Sequence, residues 1–282
     1  MEIKDIGYST SLQPRQMRLD SITKCNAKCL SCHRFKSERQ GEMSSELLNE
    51  ILDDVSKWQR PLTEIIPVNY GEFFLREDWY DNLVKINTKL PATQIVIPTN
   101  GTQFNDETID KICRIPSVRI INFSVNAYFA ETYKNFTGLP PENIDKIRRA
   151  VARLRILRPD ITLWASMVFN PQYQTDLERD LFINYWAGWA VPQILPAASA
   201  NRNGKLVHPV KLPCRSIFSD FVIGYDGKLS SCCFDSNFSI DLNYYSGDIL
   251  KDWHNSELEN LRKLHNTGRR TEVDLCEHCT FA

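Results

Sequence analysis

The chain has 282 residues, 42% of them apolar, and its 34 basic side chains nearly cancel 35 acidic ones. That is enough for one large domain, or a large and a small one, around a real core, and it excludes a disordered chain. The charge balance argues against a nucleic-acid or anionic-membrane partner, and no apolar run approaches the roughly 18 residues that span a bilayer. The opening "MEIKDIGYSTSLQPRQ" lacks the apolar segment of a signal peptide. A cytoplasmic, reducing location is therefore expected, where nine cysteines point to metal ligation rather than disulfides.

Taken in chain order, "QMRLDSIT" (16–23) reads as a first strand running into "CNAKCLSC" (25–32). A helix follows over 45–58, with Leu48, Ile51, Leu52 and Val55 on one face and serines placed to cap its start. The alternation then continues: strand 63–70, helix 77–90, strand 93–98, helix 106–115 and strand 118–125. Helix 141–157 carries Pro141 in its first turn, and strand 161–169, helix 175–187 and strand 191–195 complete the series. Five or six β-α units of this kind predict an α/β fold with a parallel sheet.

After residue 200 the texture changes. "ASANRNGKLVHP" (198–209) is polar and turn-rich, which divides the chain into 1–200 and 201–282. A hairpin is expected over 220–233 through Asp226-Gly227, then a helix over 256–265. The basic stretch "LRKLHNTGRR" (261–270) reads as the charged close of a solvated helix. This last part holds five of the nine cysteines and is small enough to need a staple beyond its own core. Cys113 falls on the apolar face of its helix with Ile109 and Ile112 and reads as core.

Cys25, Cys29 and Cys32 have the spacing C-x3-C-x2-C on the loop after the first strand. Thiolates choose zinc, copper or iron–sulfur clusters. A structural zinc site asks for four closed ligands, whereas three ligands on a [4Fe–4S] cluster leave one iron open. This loop resembles the signature of the radical S-adenosylmethionine (SAM) enzymes. The resemblance implies a partial (β/α)6 TIM-like barrel in which the open iron chelates SAM, and one electron, from a donor such as flavodoxin or ferredoxin, cleaves it to a 5′-deoxyadenosyl radical. "NYGEFF" (69–74) is similar to the family's GGEP motif at Gly71 and Glu72, with Tyr70 and Phe73 departing from it. By the same resemblance Asn100 in "PTNGT", and Ser124 and Asn126 in "FSVNA", line the cofactor at the carboxyl ends of strands, where barrel active sites lie. Ser31 stands where many members carry an aromatic residue.

Cys214, Cys232, Cys276 and Cys279 form a second set, with Gly227 five residues ahead of Cys232. Four thiolates arriving from a hairpin and a terminal knuckle would tie a small α+β domain through one centre, either zinc or iron–sulfur. The pattern resembles the SPASM or Twitch extension of radical SAM enzymes, which implies an auxiliary [4Fe–4S] cluster. Cys233 is a swapped ligand, a hydrogen-atom donor or a buried thiol, the last being the reading adopted.

Together these features imply a radical SAM oxidoreductase that oxidises a sugar or cyclitol alcohol, with the auxiliary cluster as electron acceptor. Radical modification of a ribosomally made peptide is the alternative, and a zinc-stapled binding module is the non-enzymatic one. His208, Arg202 and Tyr225 lie near the junction of the two parts and are the candidates for proton transfer.

Overall fold

A computed structural model of the chain describes residues 8–196, 212–277 and 279. Strands β1 (Gln16–Asp20), β2 (Glu64–Ile66), β3 (Gln94–Thr99), β4 (Val118–Ser124), β5 (Thr162–Phe169) and β6 (Val191–Pro196) lie side by side in chain order, all parallel. Parallel neighbours need crossovers, and helices α1 (Ser45–Val55), α2 (Trp79–Lys89), α3 (Asp106–Cys113), α4 (Ala130–Thr137), α5 (Asn143–Leu157) and α6 (Asp176–Trp186) occupy them. The alternation foretells this parallel sheet, and the whole is the partial barrel that the family resemblance implies. Among the described residues no helix is long and apolar enough to cross a membrane.

Strand periodicity sorts the side chains into two layers. Met17, Leu19, Ile65, Ile95, Ile97, Ile121, Phe123, Leu163, Ala165 and Met167 share one core with helix residues such as Leu48, Ile51, Ile86, Ile112, Ile147 and Leu154. Successive side chains on a strand point to opposite faces, so the other parity lines the barrel lumen. Arg18, Asp20, Asn122, Trp164, Ser166 and Gln193 have that parity and stay out of the core. Ser166 Oγ donates to Asn122 Oδ1 at 2.5 Å, with Gln193 Oε1 at 3.5 Å, so the lumen wall is polar.

Four elements depart from expectation. β1 and β2 stop at Asp20 and Ile66 because the residues beyond them turn into loops. There the Ser21 hydroxyl donates to the Pro67 carbonyl, and Arg76 donates to Ser21 O at 2.6 Å and Met43 O at 3.0 Å. α4 went unforeseen; it buries Tyr133 and Phe136 and ends on Gly138 at φ 67°, a left-handed cap suited to glycine. Pro141 precedes α5 rather than opening it, since the helix begins at Asn143.

The carboxyl-terminal part extends the barrel sheet. β7 (Asp220–Gly224) pairs in parallel with β1 from Gln16↔Asp220 to Asp20↔Gly224, and β8 (Leu229–Ser230) returns antiparallel through the expected turn, with Gly227 at φ 83°. Phe221, Ile223 and Leu229 join the barrel's own core, so the sheet runs through both parts of the chain. The boundary at residue 200 lies outside the described residues.

The basic stretch 261–270 is only in part a solvated helix end, since Lys263 and Arg269 are exposed but Arg262 and Arg270 are not. Arg262, on the helix Ser256–Asn266, is 2% exposed, and Arg270 beyond it is 0% exposed. Arg262 donates to Ile217 O at 3.0 Å and Trp253 O at 2.8 Å while its guanidinium lies 3.9 Å from the centre of the Trp253 ring. A planar cation held by carbonyls and a ring face and paired with Glu259 at 2.6 Å can be buried, which a count of charges does not reveal. Arg262→Ala strips two buried carbonyls of their donor and is expected to lower unfolding stability by about 3 kcal/mol in anaerobic denaturant titration. A loss below about 0.5 kcal/mol would contradict this packing.

Candidate iron–sulfur and cofactor site

The residues after β1 form an irregular loop, so its backbone needs partners from elsewhere. Lys28 and Leu30 N–H groups donate to Thr137 O at 2.7 Å and Phe136 O at 2.9 Å, the carboxyl end of α4. Cys32 N–H donates to Cys29 O at 3.0 Å, and Arg34 N–H to Cys32 Sγ at 3.4 Å. Asn100, at the end of β3, places Nδ2 3.8 Å from Cys25 Sγ and 2.7 Å from Asn26 Oδ1. Burial pushes all three thiols up, Cys29 to about 12, and the neighbouring thiols add to the effect on Cys25 and Cys29. Thiolates in such a place call for a compensating cation, which cluster iron supplies.

The donor set, three thiols on one loop, suits a soft centre such as an iron–sulfur cluster. Among the described residues no three Cys, His, Asp or Glu side chains converge on a point where one metal ion would sit. A four-iron cluster asks for wider spacing, since each thiolate binds its own iron.

Gly71 stands where a Cβ would come within 2.0 Å of Ile22 O, so only glycine lets the β2 loop lie this close to the cysteine loop. The adjacent Glu72 N–H donates to Lys24 O at 2.9 Å. The Glu72 side chain is 2% exposed and accepts from Phe74 N–H at 3.3 Å, Thr99 Oγ1 at 2.9 Å and Asn100 N–H at 2.7 Å. Burial raises its pKa to about 7. Its carboxylate thus ties the end of β2 to the end of β3, a role the motif alone did not reveal. Asn126 adopts φ 62°, accepts from Val168 N–H at 2.9 Å and donates to Ser124 O at 3.3 Å. It stitches β4 to β5, with Ser124 at its base.

Tyr225 packs its ring against Gly41 and under the Arg39 guanidinium, 5.1 Å from the ring centre. Arg39 also pairs with Asp226 at 2.6 Å, so this trio clamps the cysteine loop to the hairpin. His208 and Arg202 lie outside the described residues. Sequence reasoning missed Asp20, which is 1% exposed at the end of β1 and accepts from Tyr70 N–H at 3.3 Å. Burial raises its pKa to about 6, with Arg39 and backbone donors opposing. The available signal was the polar residue at every second place of "QMRLD".

Cys214, Cys232, Cys276 and Cys279 line one pocket, and Cys233 and Arg270 line it too. Burial raises the Cys214 pKa, with Arg270 opposing and Cys279 adding. His265 accepts from Cys214 N–H at 3.1 Å; burial and then Arg270 hold its pKa down to about 4, so the ring is neutral. Cys113, partly buried, packs against the core as expected. The segments that carry the two thiol sets touch: Asn69 Nδ2 donates to Cys233 O at 3.3 Å, and Ser37 Oγ to Ser236 O at 2.8 Å.

A parallel α/β barrel with thiols on its first loop and a thiol-lined carboxyl-terminal pocket defines an iron–sulfur barrel protein. The sequence model of the radical SAM superfamily matches residues 20–180, more than half of the chain, and that of the SPASM iron–sulfur cluster-binding domain matches 214–280. The chain belongs to the radical SAM superfamily and carries a SPASM domain. Its cofactors are accordingly SAM with its [4Fe–4S] cluster and an auxiliary iron–sulfur cluster. The AdoMet-dependent heme synthase of Methanosarcina barkeri is 26% identical over 147 residues, 51% of this chain but only 39% of that protein. Among solved structures, BtrN in complex with AdoMet and 2-DOIA is similar in fold, with TM-score 0.62, 16% identity and coverage of 95% of this chain and 93% of that one. SuiB of Streptococcus suis bound to precursor peptide SuiA gives TM-score 0.64, 14% identity and coverage of 98% and 71%.

Gly71→Ala forces the β2 loop off Ile22 O and is expected to abolish SAM binding in anaerobic equilibrium dialysis while the carboxyl-terminal cluster stays loaded, leaving about half of the iron. Wild-type SAM affinity in this variant would contradict the close approach.

Proposed function

We propose that this chain is a radical SAM oxidoreductase that oxidises an alcohol of a small polar metabolite, a sugar or cyclitol. Cys25, Cys29 and Cys32 hold the SAM-binding cluster, and Cys214, Cys232, Cys276 and Cys279 hold the auxiliary one. Gly71, Glu72, Asn100, Ser124 and Asn126 shape the SAM site through the strand ends they join. When bound, these groups supply hydrogen-atom abstraction and a one-electron sink. The polar lumen carries the reading: the Asn122–Ser166–Gln193 chain offers hydrogen bonds to hydroxyl groups, while Trp164 on β5 offers an apolar face. The fold shared with BtrN along almost its whole length supports the same substrate class.

Oxidising an alcohol to a carbonyl releases a proton, and Asp20 is the group to take it. It stands at the strand ends with a pKa raised to about 6, poised near neutrality as a general base must be. His208 and Arg202, which the sequence offers for proton transfer, remain open to the same test, and Tyr225 acts through packing. A second reading, modification of a ribosomally made peptide, draws on the fold shared with SuiB.

Reconstituted enzyme given deuterated sugars or cyclitols is expected to return label in 5′-deoxyadenosine. Label from deuterated peptides alone would move the function to the second reading. Turnover should rise with pH through about 6, and Asp20→Asn should erase that step and cut turnover by about 10²–10⁴-fold. The fold raises this pKa, so it favours the protonated form, and stability falls as pH climbs from below 4 through 6. Asp20→Asn removes that loss and should unfold no earlier than wild type at pH 7. An unchanged pH–rate profile in the variant would rule Asp20 out as the base.

A further inference from the structure

We infer that Arg18 forms an oxyanion subsite in the barrel lumen, so that the substrate carries a carboxylate or phosphate group. This rests on the proposed function in taking the lumen as the substrate chamber.

Arg18 occupies the middle of β1 on the lumen-facing parity, between core residues Met17 and Leu19. Its register partners on the two flanking strands are Ile66 and Val222, both buried and both of lumen parity. The Arg18 side chain is partly buried between these two aliphatic side chains, and its Nε is buried without a hydrogen-bond partner. Among the described residues Arg18 makes no ion pair and no side-chain hydrogen bond. A half-buried cation with a dry, unpaired Nε is well placed to receive an anion.

The acids of this region are engaged elsewhere. Glu64 accepts from Gln16 Nε2 at 2.7 Å and pairs with Arg15 at 3.5 Å. Asp220 accepts from Ser219 Oγ at 2.6 Å. Asp20, two residues along the same face, accepts from Tyr70 N–H and feels Arg39. The missing anion therefore comes from outside the chain. Guanidinium matches planar carboxylates and tetrahedral phosphates alike through paired N–H donors. The hydroxyl-binding wall of Asn122, Ser166 and Gln193 adds the second half of the specificity, pointing to a hydroxy acid, sugar acid or sugar phosphate. A substrate whose only charge is an amine would be repelled.

Isothermal titration of reconstituted holoenzyme with acetate, and separately with inorganic phosphate, at fixed ionic strength tests the site. At least one anion should bind with one site per chain, and Arg18→Gln should weaken it tenfold or more, a contact worth about 1.4 kcal/mol. The arm that binds tells carboxylate from phosphate. In wild-type enzyme the same anion should protect Arg18 from phenylglyoxal, read by peptide mass spectrometry, so the test survives a variant that fails to fold. Absence of binding by both anions, equal binding by the variant, or unprotected Arg18 would overturn the subsite. Dithionite-driven release of 5′-deoxyadenosine by wild-type enzyme is measured alongside. Its absence would sink the proposed function and leave the anion result standing.

Discussion

An irregular loop can hold three sulfurs at fixed separations only if other segments satisfy its backbone, and the barrel is arranged around that demand. The cysteine loop borrows acceptors from the end of α4, a close approach from Gly71, and an amide from Asn100. Glu72 is the knot: one buried carboxylate takes donors from its own turn and from the end of β3, with its backbone bonded to the residue before Cys25. Strand ends that would splay apart in a sheet alone become a single rim. The rim is where parallel barrels place their chemistry.

The carboxyl-terminal pocket is tied to the same rim. β7 adds to β1, the Arg39–Asp226 pair and the Tyr225 ring press the hairpin onto the cysteine loop, and Asn69 reaches Cys233 from the β2 loop. The carboxyl-terminal thiol pocket is thereby tied to the segments around the cysteine loop by strand pairing, an ion pair and side-chain hydrogen bonds. The inward parity of the strands mixes aliphatic groups such as Ile66 and Val222 with polar ones such as Arg18, Asn122 and Ser166.

Much of this was legible in the sequence for physical reasons. Strand cores such as "IVIPT" and "IINFS" are apolar runs that bury one face against helices, and the amphipathic helices between them announce parallel crossovers. The cysteine spacings survive because ligand chemistry fixes them. What escaped was non-local or inverted. The pairing of β7 with β1 joins residues about 200 positions apart, which no local pattern encodes. α4 is eight residues long and hides its apolar side in two aromatic rings. Arg262 and Arg270 read as solvent-facing charge, yet carbonyls and a tryptophan ring take them inside. Arg18 and Asp20 alternate with apolar residues along β1, and the barrel turns that polar parity inward.

The account stands or falls on an iron with a free corner above the three amino-terminal thiols. Electron–nuclear double resonance on reduced enzyme with SAM labelled with ¹⁵N at its amino group and ¹⁷O at its carboxylate reads that corner directly. Hyperfine coupling to both labels, lost when Cys25, Cys29 and Cys32 are replaced together, is the predicted result. A reduced-cluster spectrum indifferent to labelled SAM would contradict it.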